Sequence, residues 1–203
     1  MSGLEPFDET YFLSYCQALY DNDQAYDAKQ TDRLNRHRHL EPKSAKFLAS
    51  LVMLQKPKTV LEIGTSTGFS TLWLAYGLRH YSSVNFISLD INEVRSHTAR
   101  KHLRAVGLST LVDVRVQDAS EFLNQNSKTF DLIFLDAERQ FYCDYLGNLH
   151  NSLTIGSVLL VDNVISHSDD VQQFLAAFTN DTRYICHTLD MGAGLFMAVR
   201  QEG

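Results

Sequence analysis

The sequence predicts an α/β fold in which helices cover both faces of a mostly parallel sheet. From Thr59 onward, short β-branched or apolar runs alternate with longer amphipathic stretches, a pattern typical of strands joined by crossover helices. A loop with Gly64 and Gly68 follows the first run. Two runs near the C-terminus are separated only by residues 189–194, and so short a link predicts an antiparallel hairpin. We therefore expect a seven-stranded, mostly parallel sheet with an antiparallel last strand.

Each element is predicted from its period and its flanking residues. Strands are expected at residues 60–63, 84–89, 112–116, 132–135, 158–161, 184–188 and 195–199. Helices are expected between them at residues 70–79, 94–106, 119–125, 142–153 and 169–178. Two N-terminal helices are expected before the first strand, at about residues 9–20 and 43–54, joined by a charge-mixed connection over residues 21–39.

The composition is that of a globular protein and excludes several functional classes. Hydrophobic residues make up 44% and charged residues 21% of the 203-residue chain, which argues against disordered and fibrous classes. A formal net charge of -6 gives no general attraction to nucleic acid, so none is expected as a partner. The best apolar run, residues 48–54, is too short to cross a membrane, and the first ten residues lack the features of a secretory signal. The separated Cys16, Cys143 and Cys186 indicate reduced thiols and hence a cytoplasmic protein.

The N-terminal 40 residues are predicted to form a helical appendage or lid, and residues 41–203 the main domain. Residues 30–39 of the appendage are rich in cationic and histidine side chains, namely Arg33, Arg36, His37, Arg38 and His39. This segment either faces an anionic ligand or forms a solvated helix face or mobile lid, and both interpretations stay open here.

The first predicted strand leads into a loop suited to close contact with a ligand. Gly64 and Gly68 allow tight turns, and the next helix presents its free N–H groups. The spacing is not G-x-G-x-x-G, and Glu62 would repel a pyrophosphate. The pattern E-x-G-x-x-x-G resembles motif I of class I methyltransferases, which implies a Rossmann-like fold and S-adenosylmethionine as cofactor, with Glu62 near its methionine moiety. The alternative is a tight strand-to-helix turn that binds no ligand.

Residues after the second and third strands continue this resemblance in register. Asp90 ends the second strand and is expected to accept hydrogen bonds from both ribose hydroxyls, although it could instead cap the helix that begins near Asn92. Residues 117–119 stand where class I enzymes contact adenine. The implied cofactor-binding set is Glu62, Gly64, Ser66, Gly68, Ser70, Asp90, Ile91, Asp118, Ala119 and Asp136.

The fourth and fifth strands each end in a carboxylate. Asp136 follows the fourth strand, and Asp162 and Asn163 follow the fifth. If the two strands are adjacent and parallel, these side chains lie at neighbouring strand ends, about 5 Å apart. Hard oxygen donors without cysteine or histidine suit Mg²⁺ or another divalent cation. The alternative is that both aspartates only cap or turn the chain.

This arrangement resembles the catechol and caffeoyl-CoA O-methyltransferase group, whose metal ligands are an Asp after the fourth strand and an Asp-Asn pair after the fifth. The resemblance runs from about Leu40 to Val199 and includes D-A-E-R-Q-F-Y at residues 136–142, similar to the group's D-A-x-K-x-x-Y. It implies a small-molecule hydroxyl acceptor. Because relatives often dimerise, a homodimer is one expected oligomeric state.

Two departures from the group's pattern bear on catalysis. Arg139 stands where the group usually has a lysine thought to remove or stabilise the hydroxyl proton, and arginine cannot readily act as a base. Arg139 is therefore expected to stabilise an oxyanion, together with Asp136 at the catalytic centre, and His167 is the alternative base. Ala45 precedes Lys46 where relatives have Gly-Gln, which weakens the correspondence at the N-terminal wall of the site.

The leading hypothesis is transfer of a methyl group from S-adenosylmethionine to a hydroxyl of a small molecule, of catechol type, with a divalent metal. One rival is a metal-independent methyltransferase in which Asp136 and Asn163 position the acceptor by hydrogen bonds. The other is a binding protein that senses S-adenosylmethionine without turnover, a role that Arg139 would fit.

Overall fold

A seven-stranded sheet forms the centre of the protein. The computed structural model describes residues 7–31 and 39–202. The strands are β1 (Thr59–Ile63), β2 (Asn85–Asp90), β3 (Val112–Val116), β4 (Phe130–Leu135), β5 (Leu153–Val161), β6 (Tyr184–Leu189) and β7 (Leu195–Arg200). The sheet order is β3-β2-β1-β4-β5-β7-β6. β7 runs antiparallel to both β5 and β6 while the other pairs of strands are parallel, so the predicted, mostly parallel sheet with an antiparallel last strand is confirmed.

Seven α-helices accompany the sheet in the part of the chain that the structure describes. They are α1 (Glu9–Asp27), α2 (Pro42–Gln55), α3 (Phe69–Leu78), α4 (Glu93–Ala105), α5 (Ala119–Gln125), α6 (Tyr142–Ser152) and α7 (Ser168–Thr179). Every predicted helix is present, and most ends agree within two residues. Such helices cover both faces of a parallel sheet because its strands are apolar on both sides.

The strand register brings the ends of four strands to one line. Ile63 of β1 pairs with Leu89 of β2 and with Leu135 of β4, and Leu135 pairs with Val161 of β5. The residues that follow these four positions therefore lie side by side at the carboxyl edge of the sheet. In open parallel sheets this edge is where ligands bind.

Two apolar clusters pack on the sheet, one on each face. Helix α3 is buried over its whole length, because its sequence is apolar on nearly every side. Helix α1 packs onto α3 through Phe12, which stacks on Tyr76 with ring centroids 4.5 Å apart. Phe12 and Cys16 belong to the same cluster as residues of α2 and α3, so α1 shares the core of the sheet domain.

The N-terminal segment differs most from expectation. Helix α1 continues to Asp27 instead of ending at residue 20, so the first part of the predicted connection is helical. Its polar residues are compatible with a helix because one face of the helix is exposed to solvent, where their side chains stay hydrated. Arg33, Arg36, His37 and Arg38 lie outside the described residues, and the division at residue 40 stays a prediction. Among the helices of the described ranges, none has the length and apolar character of a membrane span.

Candidate active site

A cleft of about 430 Å³ lies at the carboxyl edge of the sheet, within the usual range of small-molecule sites. The loops after β1 to β5 all contribute to it. The predicted site residues in its wall are Gly64, Ser66, Asp90, Ile91, Asp118, Ala119, Asp136, Arg139 and Asn163. The other predicted residues, Glu62, Gly68, Ser70 and Asp162, are not in the wall and lie behind it.

The glycine loop connects β1 to α3 and touches the end of β4. Gly64 has φ +106°, and a Cβ at this position would lie 2.0 Å from the backbone oxygen of Asp136. Only glycine fits so close an approach of two backbones. Gly68, with φ +93°, precedes α3 and packs against Ala99 of α4. The two predicted glycines therefore have steric reasons to be glycine.

Glu62 lies beneath the glycine loop and is fully buried. Its carboxylate accepts hydrogen bonds from the hydroxyls of Ser70, Thr71 and Ser88, each at 2.5 Å. Burial raises the pKa of Glu62 to about 7, although these three hydrogen bonds act in the opposite direction. Thr65 extends the network through a contact with Ser88. Glu62 thus joins β1, β2 and the first turn of α3, and holds the loop from below.

Asp90 holds the same loop from the side and also faces the cleft. Its Oδ2 accepts from the backbone N–H of Ser66 at 2.7 Å, and its Oδ1 accepts from the N–H of Asn92 at 2.8 Å. The cap of α4 is instead Asn92, whose Oδ1 accepts from the N–H of Arg95. Each carboxylate oxygen has a second lone pair, so Asp90 can still accept ribose hydroxyls.

Residues after β3 form the far wall of the cleft. Asp118 caps α5 by accepting a hydrogen bond from the N–H of Glu121, and Ala119 begins that helix. The backbone N–H of Gln117 donates to the carbonyl of Asp90, which ties this wall to the end of β2. The predicted adenine-contacting residues therefore stand beside the predicted ribose anchor.

The strand ends of β4 and β5 bring two carboxylates and one amide together. Asn163 Nδ2 donates to Asp136 Oδ1 at 3.0 Å. Asp162 is 3% exposed, and its Oδ1 has no hydrogen-bond partner among the described residues. Burial, and next the charge of Asp136, raise the pKa of Asp162. Within residues 7–31 and 39–202, no three His, Cys, Asp or Glu side chains cluster as a metal site.

The turn between β6 and β7 supports the loop after β5. The backbone N–H of Val164 donates a hydrogen bond to the carbonyl of Gly194, and the N–H of Ile165 donates to the carbonyl of Ala193, both at 3.0 Å. A Cβ on Gly194 would lie 2.4 Å from the side chain of Ile165. Asn163 has φ +65°, a conformation that asparagine tolerates better than most residues. The closing hairpin therefore fixes the backbone that carries Asp162 and Asn163.

Arg139 lies in the cleft wall beyond Asp136. Its Nε is 3.4 Å from Asp170 Oδ2 at the start of α7, and its side chain is largely covered. His167 also lines the cleft, half-buried, with Nδ1 2.8 Å from the hydroxyl of Ser166. Tyr142 is buried, and its hydroxyl bonds to both the N–H and the carbonyl of Ala137, which fixes the segment before Arg139.

The cleft wall also contains residues that sequence reasoning did not single out, among them Arg95, Phe141 and Tyr145. Phe141 and Tyr145 are four residues apart at the start of α6, so they present rings on one side of that segment. This i, i+4 aromatic pair was the available signal. Arg95 had no comparable signal, since an arginine in the first helical turn is ordinarily solvated.

The strand order, the glycine loop and the acid at the end of β2 define the fold as that of a class I S-adenosylmethionine-dependent methyltransferase. An O-methyltransferase of Bacillus cereus in complex with SAH aligns with TM-score 0.75 and 27% identity, covering 98% of this chain and 93% of that one. The chain belongs to the O-methyltransferase family, whose model matches residues 26–201. A SAH-bound methyltransferase of Podospora anserina, 19% identical with TM-score 0.77 over 100% of both chains, shares the fold.

Curated relatives agree with the predicted resemblance. The catechol O-methyltransferase of Niastella koreensis is 32% identical over 130 residues, which are 62% of this chain and 58% of that protein. The catechol O-methyltransferase of Mycobacterium tuberculosis is 32% identical over 162 residues, 76% of this chain and 71% of that protein. The chain thus spans between 58% and 71% of the length of these two relatives. The resemblance to the catechol and caffeoyl-CoA group is confirmed.

Proposed function

We propose that the chain transfers a methyl group from S-adenosylmethionine to a hydroxyl of a catechol-type small molecule, with a divalent cation held by Asp136, Asp162 and Asn163. The buried Asp162 carries the metal part of this proposal, because its Oδ1 has no hydrogen-bond partner among the described residues. A buried carboxylate without a partner is costly, and a cation would offset that cost. Both relatives described above are catechol O-methyltransferases, which supports a catechol acceptor.

The donor set fits a hard cation. Asp136 and Asp162 follow paired strands, and the charge of Asp136 raises the pKa of Asp162, as expected for two carboxylates that face a common point. Rotation of the Asn163 side-chain amide by 180° would exchange its nitrogen and oxygen, so that the oxygen would face Asp136. Oxygen donors of this kind suit Mg²⁺. When bound, such a cation lowers the pKa of a hydroxyl and fixes its orientation.

The chain's own residues supply alignment and charge. The methyl carbon of the cofactor is already electrophilic, so the protein has to orient it toward an anionic oxygen. Asp90 would orient the ribose, and Gly64, which lines the cleft, lets the loop after β1 pass close to the backbone of Asp136. Arg139 stays protonated and would stabilise the developing oxyanion, while Asp170 restrains the guanidinium.

A metal-independent transferase is the second candidate, and one observation favours it. The hydrogen bond from Asn163 to Asp136 links the two side chains directly, which is the arrangement that would let them position an acceptor hydroxyl. In that case His167, which lines the cleft, is the candidate base. A cytoplasmic location and a homodimer stay predictions from the sequence.

The test is methyl transfer from labelled S-adenosylmethionine to a panel of catechols, with Mg²⁺ or with excess chelator. Asp162→Ala should bind the cofactor within about threefold of wild type but lose at least ~100-fold in transfer. The matched control is Asp113→Ala, since Asp113 is an exposed carboxylate on β3. Full transfer by Asp162→Ala in excess chelator would exclude the metal role. Tight cofactor binding without transfer to any acceptor would favour a sensor.

A further inference from the structure

His39 joins three elements at the back of the glycine loop, outside the cleft wall. Its side chain is 2% exposed. Nε2 forms a hydrogen bond of 2.6 Å with the hydroxyl of Thr67 and lies 2.8 Å from Asp23 Oδ2 of α1. The ring stacks on Phe69, the first residue of α3, with centroids 4.8 Å apart and planes 11° apart. A single imidazole therefore contacts α1, the glycine loop and α3.

Thr67 occupies the most constrained part of that loop. It is 3% exposed and lies between Ser66, with φ +48°, and Gly68, with φ +93°. A non-glycine residue with positive φ is strained and persists only where its surroundings fix it. The Ser66 conformation directs its N–H to Asp90, the predicted ribose anchor. A contact that fixes Thr67 therefore also acts on Ser66 and Asp90.

We propose that His39 is a positioning residue for cofactor binding. The inference rests on the proposed function, because it takes the glycine loop to bind S-adenosylmethionine. His39 holds Thr67 from behind, and Asp23 together with Phe69 holds His39 in turn. Helix α1 thereby influences the geometry of a cleft that it does not line.

The test compares three chains by calorimetric titration with S-adenosylmethionine and by steady-state kinetics. His39→Phe keeps a ring to stack on Phe69 but removes the polar contacts with Thr67 and Asp23. Loss of one buried hydrogen bond predicts a roughly three- to tenfold higher Kd and cofactor KM. The kcat and the acceptor KM should stay within about twofold, because the reacting end of the cleft is unchanged. His39→Gln, whose amide can still bond to Thr67, should recover most of the affinity.

The control separates positioning of the loop from simple attachment of α1. Tyr15 of α1 bonds to His102 Nδ1 at 2.6 Å, in the last turn of α4 and away from the glycine loop. His102→Phe removes an equally short tie of α1, so it should lower the unfolding midpoint without raising the cofactor Kd.

Three outcomes would overturn the inference. An unchanged Kd in His39→Phe would do so while leaving the proposed function intact. An equal rise in Kd in His39→Phe and His102→Phe would also do so, because it would point to a general effect of α1. A wild-type chain that does not bind S-adenosylmethionine would overturn both the proposed function and this inference.

Discussion

The two halves of the cleft satisfy their carboxylates in different ways. The cofactor half is the part that we propose binds the cofactor, and there Glu62 accepts three hydroxyl hydrogen bonds and Asp90 accepts hydrogen bonds from two backbone N–H groups. The acceptor half is the part that we propose binds the acceptor, and there Asp162 is buried, yet its Oδ1 has no hydrogen-bond partner among the described residues. Buried polar groups in folded proteins are nearly always hydrogen-bonded, so the second half is the exception that calls for an explanation.

This difference indicates that the protein's own hydrogen bonds are enough to shape the cofactor half of the cleft. The glycine loop is held from below and from the side by protein groups, which gives it its shape before any ligand arrives. The acceptor half has two facing carboxylates, Asp136 and Asp162, and their repulsion would be relieved by a cation. The cofactor half is preorganised, and we expect the acceptor half to depend on what it binds.

The two halves meet where Gly64 approaches the backbone of Asp136, and a change at this contact should have the largest effect on stability. Gly64→Ala would place a Cβ 2.0 Å from the Asp136 carbonyl in a backbone conformation with positive φ. We expect a loss of about 4 kcal/mol or more in the free energy of unfolding, measured with urea. Gly147→Ala in α6 is the control, because no atom beyond the chain neighbours and the helix's own backbone lies within 4 Å of the added Cβ. It should be neutral or stabilise by up to about 1 kcal/mol. Equal stability of the two variants would refute the close approach.

A change of pH tests the cofactor half by itself. The pKa of Glu62 is raised to about 7 from 4.5, so its protonated form is favoured by folding. Its contribution to stability is therefore complete below about pH 4.5 and is lost as the pH rises through about 7. Glu62→Gln stays neutral, so it should gain on the order of 3 kcal/mol over wild type between pH 4.5 and 8. Urea unfolding across this range measures the difference. Parallel stability curves for the two chains would contradict the raised pKa.

The smallest expected effect tests the acceptor half. Arg139→Lys keeps the positive charge near Asp136, so transfer should stay within about tenfold of wild type. Arg139→Met removes the charge and should cost roughly 100-fold in kcat. Steady-state rates with one catechol acceptor check both values. If the lysine variant lost as much as the methionine variant, the planar guanidinium and its contact with Asp170 would matter more than the charge.

The sheet was predictable because its signals are local and repeated. Each strand is a short apolar run, and glycine or a carboxylate marks where it ends, so residues 60–63 and 112–116 were located nearly as the structure has them. The end of α1 was not predictable in this way. Residues 21–27 are mostly polar and none of them is buried, so no apolar period in this segment indicates that the helix continues.

The candidate site was predictable as a set of loops but less so in its supporting contacts. Asp90 ends β2, Asp136 follows β4 directly and Asn163 is the second residue after β5, and strand adjacency brings them to one cleft. The hydroxyls that surround Glu62 come from β2 and α3, so no sequence spacing indicates that three of them meet one carboxylate. The bond between His39 and Thr67 joins residues 28 positions apart and likewise has no local signal.

The position of β7 between β5 and β6 affects the order in which the protein can assemble. Strands β1, β2 and β3 are neighbours both along the chain and in the sheet, so the cofactor half can pair as soon as it leaves the ribosome. The acceptor half has to wait, because Gly194 and Ala193 support the loop after β5 and are among the last residues of the sheet domain to be synthesised. In a nascent chain, β1, β2 and β3 would thus be available to pair well before the loop after β5 gains its support from Ala193 and Gly194.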